Sequence, residues 1–205
     1  MLLLVTGASG AGKSMVLPTL ERVEWPSRVR CAEFDSIGVP PDADTVWRHG
    51  AIESWARRAL DAQAAGEHLV LCGQVPLGEL LAAPFAELID DIAVCMLDCS
   101  PTVREQRLRG RGDPAEAIPH HVAFGEWFRG HMADPSFRPE VVRLDSSATM
   151  RWERWGRWQK GDPRWAAETI VTDQLTPAEV AQRVTEWALS ALTHRDRGVP
   201  RPAAP

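Results

Sequence analysis

The chain contains no Asn and no Tyr, and of its 23 basic residues only Lys13 and Lys160 are Lys. Without Asn there is no N-glycosylation acceptor. Also missing are the Asn that reads guanine in the NKxD motif of regulatory GTPases and the Asn that holds a second metal in the protein-kinase catalytic loop. Long hydrophobic runs are absent as well, and nothing approaches the roughly 18 apolar residues that span a bilayer. Residues 1–5 are apolar, but they lack a basic flank and lead into a glycine loop rather than a cleavage site, so a strand is expected there and not a signal peptide. The four cysteines form no CxxC pair, and three of them lie in apolar runs. Buried free thiols and a cytoplasmic location are therefore expected. Lys, Asn and Tyr share AT-rich codons, so a GC-rich genome accounts for the bias toward Arg and for the nine Trp and 16 Pro.

The remainder is ordinary for a soluble globular chain: 205 residues, 44% hydrophobic and 25% charged, with a net charge of −5. This length suits one domain over 1–192 carrying a lid or insertion at about 110–165, with a disordered tail at 193–205. The net negative charge gives no reason to expect nucleic acid or an anionic membrane as a partner. Short apolar runs at 2–5, 28–34, 68–72, 92–97 and 168–172 read as strands. Between them, helices are expected at 12–24, 45–65, 77–88, from Pro101 onward, at 120–131 and at 177–192. A short strand is expected at 141–144. Ser100-Pro101 and Thr176-Pro177 with Glu179 are helix-start signals. Alternating strands and helices argue for an α/β fold, a three-layer sandwich around a five-stranded parallel sheet.

The most specific signal is Gly7–Ser14, GASGAGKS, which completes GxxxxGK[ST] between an apolar strand and a helix. Glycines let backbone N–H groups curl around a polyphosphate, and the helix N-terminus adds the positive end of its dipole. Gly7, Ser9, Gly10, Ala11, Gly12, Lys13, Ser14 and Met15 are thus the candidate nucleotide cradle. Lys13 reaches the β and γ phosphates, and the Ser14 hydroxyl ligates Mg²⁺. Arg is a poor substitute for a compact ammonium in a tight cradle. Codon bias explains the lost lysines but not why one of the two survivors stands between Gly12 and Ser14.

With this loop in place the chain resembles the P-loop kinase group, which includes nucleoside monophosphate kinases, shikimate and gluconate kinases and chloramphenicol phosphotransferase. The resemblance runs through the order of elements over 1–192, and its specific part is the loop. It implies ATP and Mg²⁺ as cofactors and a small-molecule hydroxyl acceptor, in a monomer or homodimer. It further implies that Asp35, at the end of the second strand in EFDSIG, activates the acceptor hydroxyl or orients the metal beside Ser14. The arginines of REQRLRGR would stack on adenine or clamp the phosphoryl group: Arg107 and Arg111 as catalytic residues, Arg104 at the nucleotide. The sequence departs from the group where the third strand ends in Gly73-Gln74 rather than an acidic pair or the glycine run of shikimate kinases.

Charge is unevenly spread. Residues 101–165 carry a net +3 and the rest −8, as suits an arginine-bearing segment that closes over phosphates. Trp152, Trp155 and Trp158 recur every third residue; packing and base stacking both remain open. Basic and aromatic interleaving leaves a polynucleotide 5′-hydroxyl kinase as an alternative, beside a nucleotide-binding regulatory ATPase. His120, His121 and His131 lack carboxylate or Cys partners at ligand spacing, so packing is expected. The acceptor is expected between the loop 35–44, the helix near Trp47, Arg48 and Trp55, and Gln74. Arg48 or Arg57 would suit an anionic acceptor.

Overall fold

In the computed structural model, residues 1–143 and 149–196 are described. Five parallel strands, β1 (Leu2–Thr6), β2 (Val29–Glu33), β3 (His68–Cys72), β4 (Ile92–Asp98) and β5 (Glu168–Val171), form one sheet in the order β2-β3-β1-β4-β5. The central strand β1 is fully buried, as a strand covered by helices on both faces must be. Its side chains alternate: Leu2 and Leu4 enter one apolar layer, Met1, Leu3 and Val5 the other.

The helices are α1 (Lys13–Leu20), α2 (Thr45–Ala64), α3 (Leu77–Ala82), α4 (Pro101–Arg111), α5 (Ile118–Ala133) and α6 (Pro177–Asp196). Helices α1 and α6 cover one face through Val16, Leu20, Val180, Val184 and Ala188. Helices α2, α3 and α5 cover the other through Ile52, Trp55, Leu77, Leu80, Trp127 and Phe128. The expected α/β architecture is thus present, with differences that have local causes. Helix α1 ends at Leu20, not Glu24; it contains Pro18, which has no N–H to continue the ladder. The helix expected at 77–88 breaks at Ala83, before Pro84, and restarts as a 3₁₀ turn over Pro84–Leu88. Helix α6 continues past the expected end at Leu192 to Asp196; the remainder of the expected tail lies outside the described residues.

The Trp-rich segment is built into the protein. Trp155 is 1% exposed, and its indole N–H donates to the Gly78 carbonyl at 2.8 Å. Trp165 joins the same apolar layer, and Trp152 and Trp158 pack against it. Of the two readings of this triplet, packing is the one realised. No strand forms at 141–143: Pro139–Val141 is a 3₁₀ turn entered from Arg138 at positive φ, and Leu144 lies outside the described residues. All four cysteines are free.

Candidate active site

Strand β1 delivers the chain to the carboxyl edge of the sheet, where the glycine loop turns into α1. Gly7 adopts φ 146°, and a Cβ there would lie 2.2 Å from the Leu97 carbonyl oxygen, so the turn admits only glycine. Gly12 adopts φ 102° with open space where a side chain would stand, leaving a concave rim of backbone at the start of α1. Lys13 Nζ donates to the Ala8 carbonyl at 3.0 Å, folding back over its own loop. Its pKa is held down to about 8, first by burial and next by the Arg104 charge. Asp35 opposes these, Arg111 adds to the lowering, and Cys72 opposes weakly. An ammonium so destabilised gains strongly from an incoming anion.

A cavity of about 510 Å³ opens over this loop. It is lined by Ser9, Gly10, Gly12, Lys13, Ser14 and Met15, and across from them by Glu33, Phe34, Asp35, Trp47 and Arg48. Gln74, Arg107 and Arg111 complete the wall. Lys13, Ser14, Asp35, Arg107 and Arg111, all marked from the sequence, therefore share one cavity. Gly7, Ala11 and Arg104 do not line it. Gly7 shapes the turn, and Ala11 is fully buried with its carbonyl accepting from Thr172 Oγ1 at 3.3 Å.

Arg104 has a different place from the one its helix suggested. It is 1% exposed, and its guanidinium binds the Ser9 carbonyl, Asp98 at 3.0 Å and the Cys99 carbonyl. It supports the loop from behind instead of reaching toward a base. Asp98, which also pairs with Arg129, is consumed by these two cations. Arg107 lines the cavity while donating to the Gly10 carbonyl at 3.2 Å, to Thr172 Oγ1 at 2.8 Å and to the Thr172 carbonyl at 2.7 Å. It forms no contact ion pair among the described residues, and Asp173 is the carboxylate that feels its charge. Arg111 is exposed and grips Asp113 through two 2.6 Å bonds; this raises its own pKa and lowers that of Asp113.

On the acceptor side, Phe34 and Trp47 meet edge to face at 6.3 Å, and the Trp55 indole donates to the Phe34 carbonyl at 3.0 Å. Gly73 makes this possible, because a Cβ there would stand 2.3 Å from Phe34 Cβ. The departure Gly73-Gln74 thus has a packing cause. Arg48 is not a free cation: Nε and Nη2 donate to Glu79 Oε1 at 2.9 and 2.6 Å, and Glu79 is fully buried. Arg57 stacks over Phe85 and pairs with Glu53 away from the cavity. The partnership of Glu79 escaped the sequence reading, although a lone acid in the apolar run VPLGELLAAP was its signal. Nothing in the sequence marked the Thr172 and Asp98 contacts.

The residues fit a nucleotide with Mg²⁺. The open glycine rim, the destabilised Lys13 ammonium and the unpaired Arg107 form an anion cradle. Ser14 and Asp35 present exposed oxygens to it. Among the described residues no group of three or more His, Cys, Asp or Glu side chains could hold a metal alone. Mg²⁺ takes one or two protein oxygens and fills its shell from phosphates and water, so Ser14 and Asp35 are enough donors for it.

No family model and no curated protein sequence matches the chain. Solved structures do. A gluconokinase from Sinorhizobium meliloti 1021 superposes with a TM-score of 0.51 at 16% identity, over 94% of this chain and 93% of its own. The Deinococcus radiodurans tunicamycin resistance protein gives 0.50 at 16% identity, over 91% and 94%. The protein APE1195 gives 0.53 at 13% identity, over 93% and 95%. These likenesses establish the fold: the chain shares the α/β fold of these three proteins, the gluconokinase among them. No helix among the described residues is long and apolar enough to cross a membrane.

Proposed function

We propose that the protein is a phosphotransferase that moves the γ-phosphoryl group of ATP to a hydroxyl of a small molecule. The observation that carries this reading is the single cavity of about 510 Å³ that joins the phosphate-binding loop to Asp35 and an aromatic wall. A nucleotide switch has no need of the aromatic wall. Backbone N–H groups of Gly10, Gly12, Lys13 and Ser14 and the Lys13 ammonium would bind the triphosphate, and Arg107 and Arg111 would add positive charge at the rim. Ser14, with Asp35 in support, would hold Mg²⁺, which would supply charge neutralisation to the phosphates. Asp35 takes the proton from the acceptor hydroxyl as that oxygen bonds to the γ-phosphorus. The bond from the γ-phosphorus to the bridging oxygen breaks, and its electron pair leaves with ADP.

The acceptor side also has a charge character. Glu33 and Asp35 form no ion pair among the described residues, whereas the Arg48 charge is cancelled by buried Glu79. This half of the cavity is therefore aromatic and net negative, which favours a neutral or amine-bearing hydroxyl compound over a carboxylate or phosphate. It displaces the expectation that Arg48 marks an anionic acceptor.

The test is transfer from γ-labelled ATP to pooled acceptors: aminocyclitols and other hydroxylated amines, nucleosides, sugars, sugar acids and 5′-hydroxyl oligonucleotides. Labelled product from the first two pools, lost in Lys13→Ala and Asp35→Ala, is the expected result. ATP hydrolysis with no labelled acceptor in any pool would reject the phosphotransferase.

A further inference from the structure

Gln74 stands just beyond β3, where the sequence has neither an acidic pair nor a glycine run. Its position is fixed by a reciprocal tether: Thr6 Oγ1 donates to the Val75 carbonyl at 2.7 Å, and Val75 N donates back to Thr6 Oγ1 at 3.1 Å. The end of β3 is thereby pinned to the end of β1, beside the glycine loop. From there the Gln74 side chain crosses to the loop, where Oε1 accepts from Ser9 N at 3.0 Å and from Ser9 Oγ at 3.3 Å.

This contact fixes the orientation of the amide. A backbone N–H can only donate, so the atom facing Ser9 N must be the oxygen. The two hydrogens of Nε2 then point elsewhere. They have no partner among the described residues, although Gln74 lines the cavity that holds Lys13 and Asp35. A neutral amide with a fixed oxygen and free donors is a preorganised hydrogen-bond donor, and it lacks the charge with which a carboxylate would repel phosphate.

We propose that Gln74 is a catalytic residue whose Nε2 donates a hydrogen bond to an oxygen of the γ-phosphoryl group, stabilising that group as it transfers. The proposal rests on the phosphotransferase reading for its kinetic part. The competing role is a clamp that holds only the shape of the loop.

Two variants separate these roles. Gln74→Glu keeps an oxygen for Ser9 N but has no donor and brings a charge that repels phosphate, so the neutral Gln74→Ala, which loses both oxygen and donor, carries the decision. Affinities for ADP and for a non-hydrolysable ATP analogue would be measured by calorimetry, and kcat and KM by transfer to the acceptor found in the pooled screen. A donor to the γ-phosphoryl group predicts that both variants lose preference for the ATP analogue over ADP by about tenfold or more. Their kcat should fall by about a hundredfold while ADP affinity in Gln74→Glu stays within about threefold of the parent. Equal weakening of both nucleotides in Gln74→Ala, with Gln74→Glu behaving as the parent, would establish the clamp and overturn the proposal. Unchanged kcat in both variants would overturn it too. If the parent transfers to no acceptor, the phosphotransferase reading fails, while the ratio of the two affinities still decides whether Gln74 contacts the γ-phosphoryl group.

Discussion

Arg48 donates through Nε and Nη2 to one oxygen of Glu79, at 2.9 and 2.6 Å, and Glu79 has no exposed surface. Its other oxygen, Oε2, has no hydrogen-bond partner, so the carboxylate depends heavily on Arg48, with His49 Nε2 at 3.3 Å as the second contact to Oε1. Removing one member of a buried pair strands the other charge, and removing both together is far milder. Arg48→Met should destabilise the protein by about 2–4 kcal/mol, a fall of roughly 5–10 °C in Tm for a chain of this size. Arg48→Met with Glu79→Leu should recover at least half of that loss. Thermal unfolding of the single and double variants gives the coupling directly, and additive losses would disprove it.

Lys13 sets a pH signature on nucleotide binding. With its pKa at about 8 in the free protein, roughly nine-tenths of the molecules hold it neutral at pH 9. Phosphates favour the ammonium and raise its pKa, so binding above pH 8 must take up protons. Calorimetric titration of ADP in two buffers of different ionisation enthalpy should show proton uptake that grows from pH 7.5 to 9. Affinity should weaken as pH rises through 8. Lys13→Met should abolish the uptake in this range. The same depression bears on folding: the unfolded chain binds more protons than the native one between about pH 8 and the ordinary Lys range. The Lys13 contribution to stability therefore improves as pH rises through that window.

The glycine loop, the five strands and the buried first strand could be read from the sequence because each is a local pattern. GASGAGKS specifies its own turn, and an apolar strand such as β1 needs no knowledge of its neighbours to be recognised as buried. The arginine helix was legible as a helix but not residue by residue. Arg104, Arg107 and Arg111 look alike in REQRLRGR, yet one is sealed behind the loop, and of the two that line the cavity one is bonded to Thr172 and the other is exposed beside Asp113. Helical spacing separates faces, but only the packing of α5 against α4 decided which arginine was sealed. The Glu79 partnership and the Gln74–Ser9 contact join residues 31 and 65 positions apart. No periodicity carries such information; it comes from the order in which parallel strands are laid side by side.

Arg104 connects the loop to α5, which makes α5 a test of its role. A Cβ at Gly125 would lie 2.4 Å from Arg104 Nε and 2.6 Å from Cζ. The arginine cannot swing aside without abandoning Asp98 and the Ser9 carbonyl. Gly125 does not line the cavity, yet Gly125→Ala should lower stability by about 2–3 kcal/mol, as overpacking of a closed interior does. It should also weaken ADP binding by about tenfold through displacement of the Ser9 backbone. Circular dichroism melts and nucleotide titration check both effects. Retention of parental ADP affinity would show that Arg104 does not position the loop.

His131 makes the acid side of the stability profile specific. Its ring stacks on Trp127 at 4.9 Å and meets the edges of Trp155 at 5.6 Å and Trp165 at 5.1 Å, with no exposed surface. Burial pushes its pKa down from 6.5 to about 4; the Phe137 backbone opposes this, and Arg143 adds to it. Between these values the unfolded chain binds a proton that the native chain refuses, so native stability must fall as pH drops from about 6.5 through 4. His131→Phe keeps the aromatic packing and removes the proton acceptor. The variant should lose less Tm than the parent between pH 7 and 4.5, with the two profiles parallel above pH 7. Identical acid slopes would place the titrating group elsewhere, among the carboxylates that His131→Phe leaves untouched.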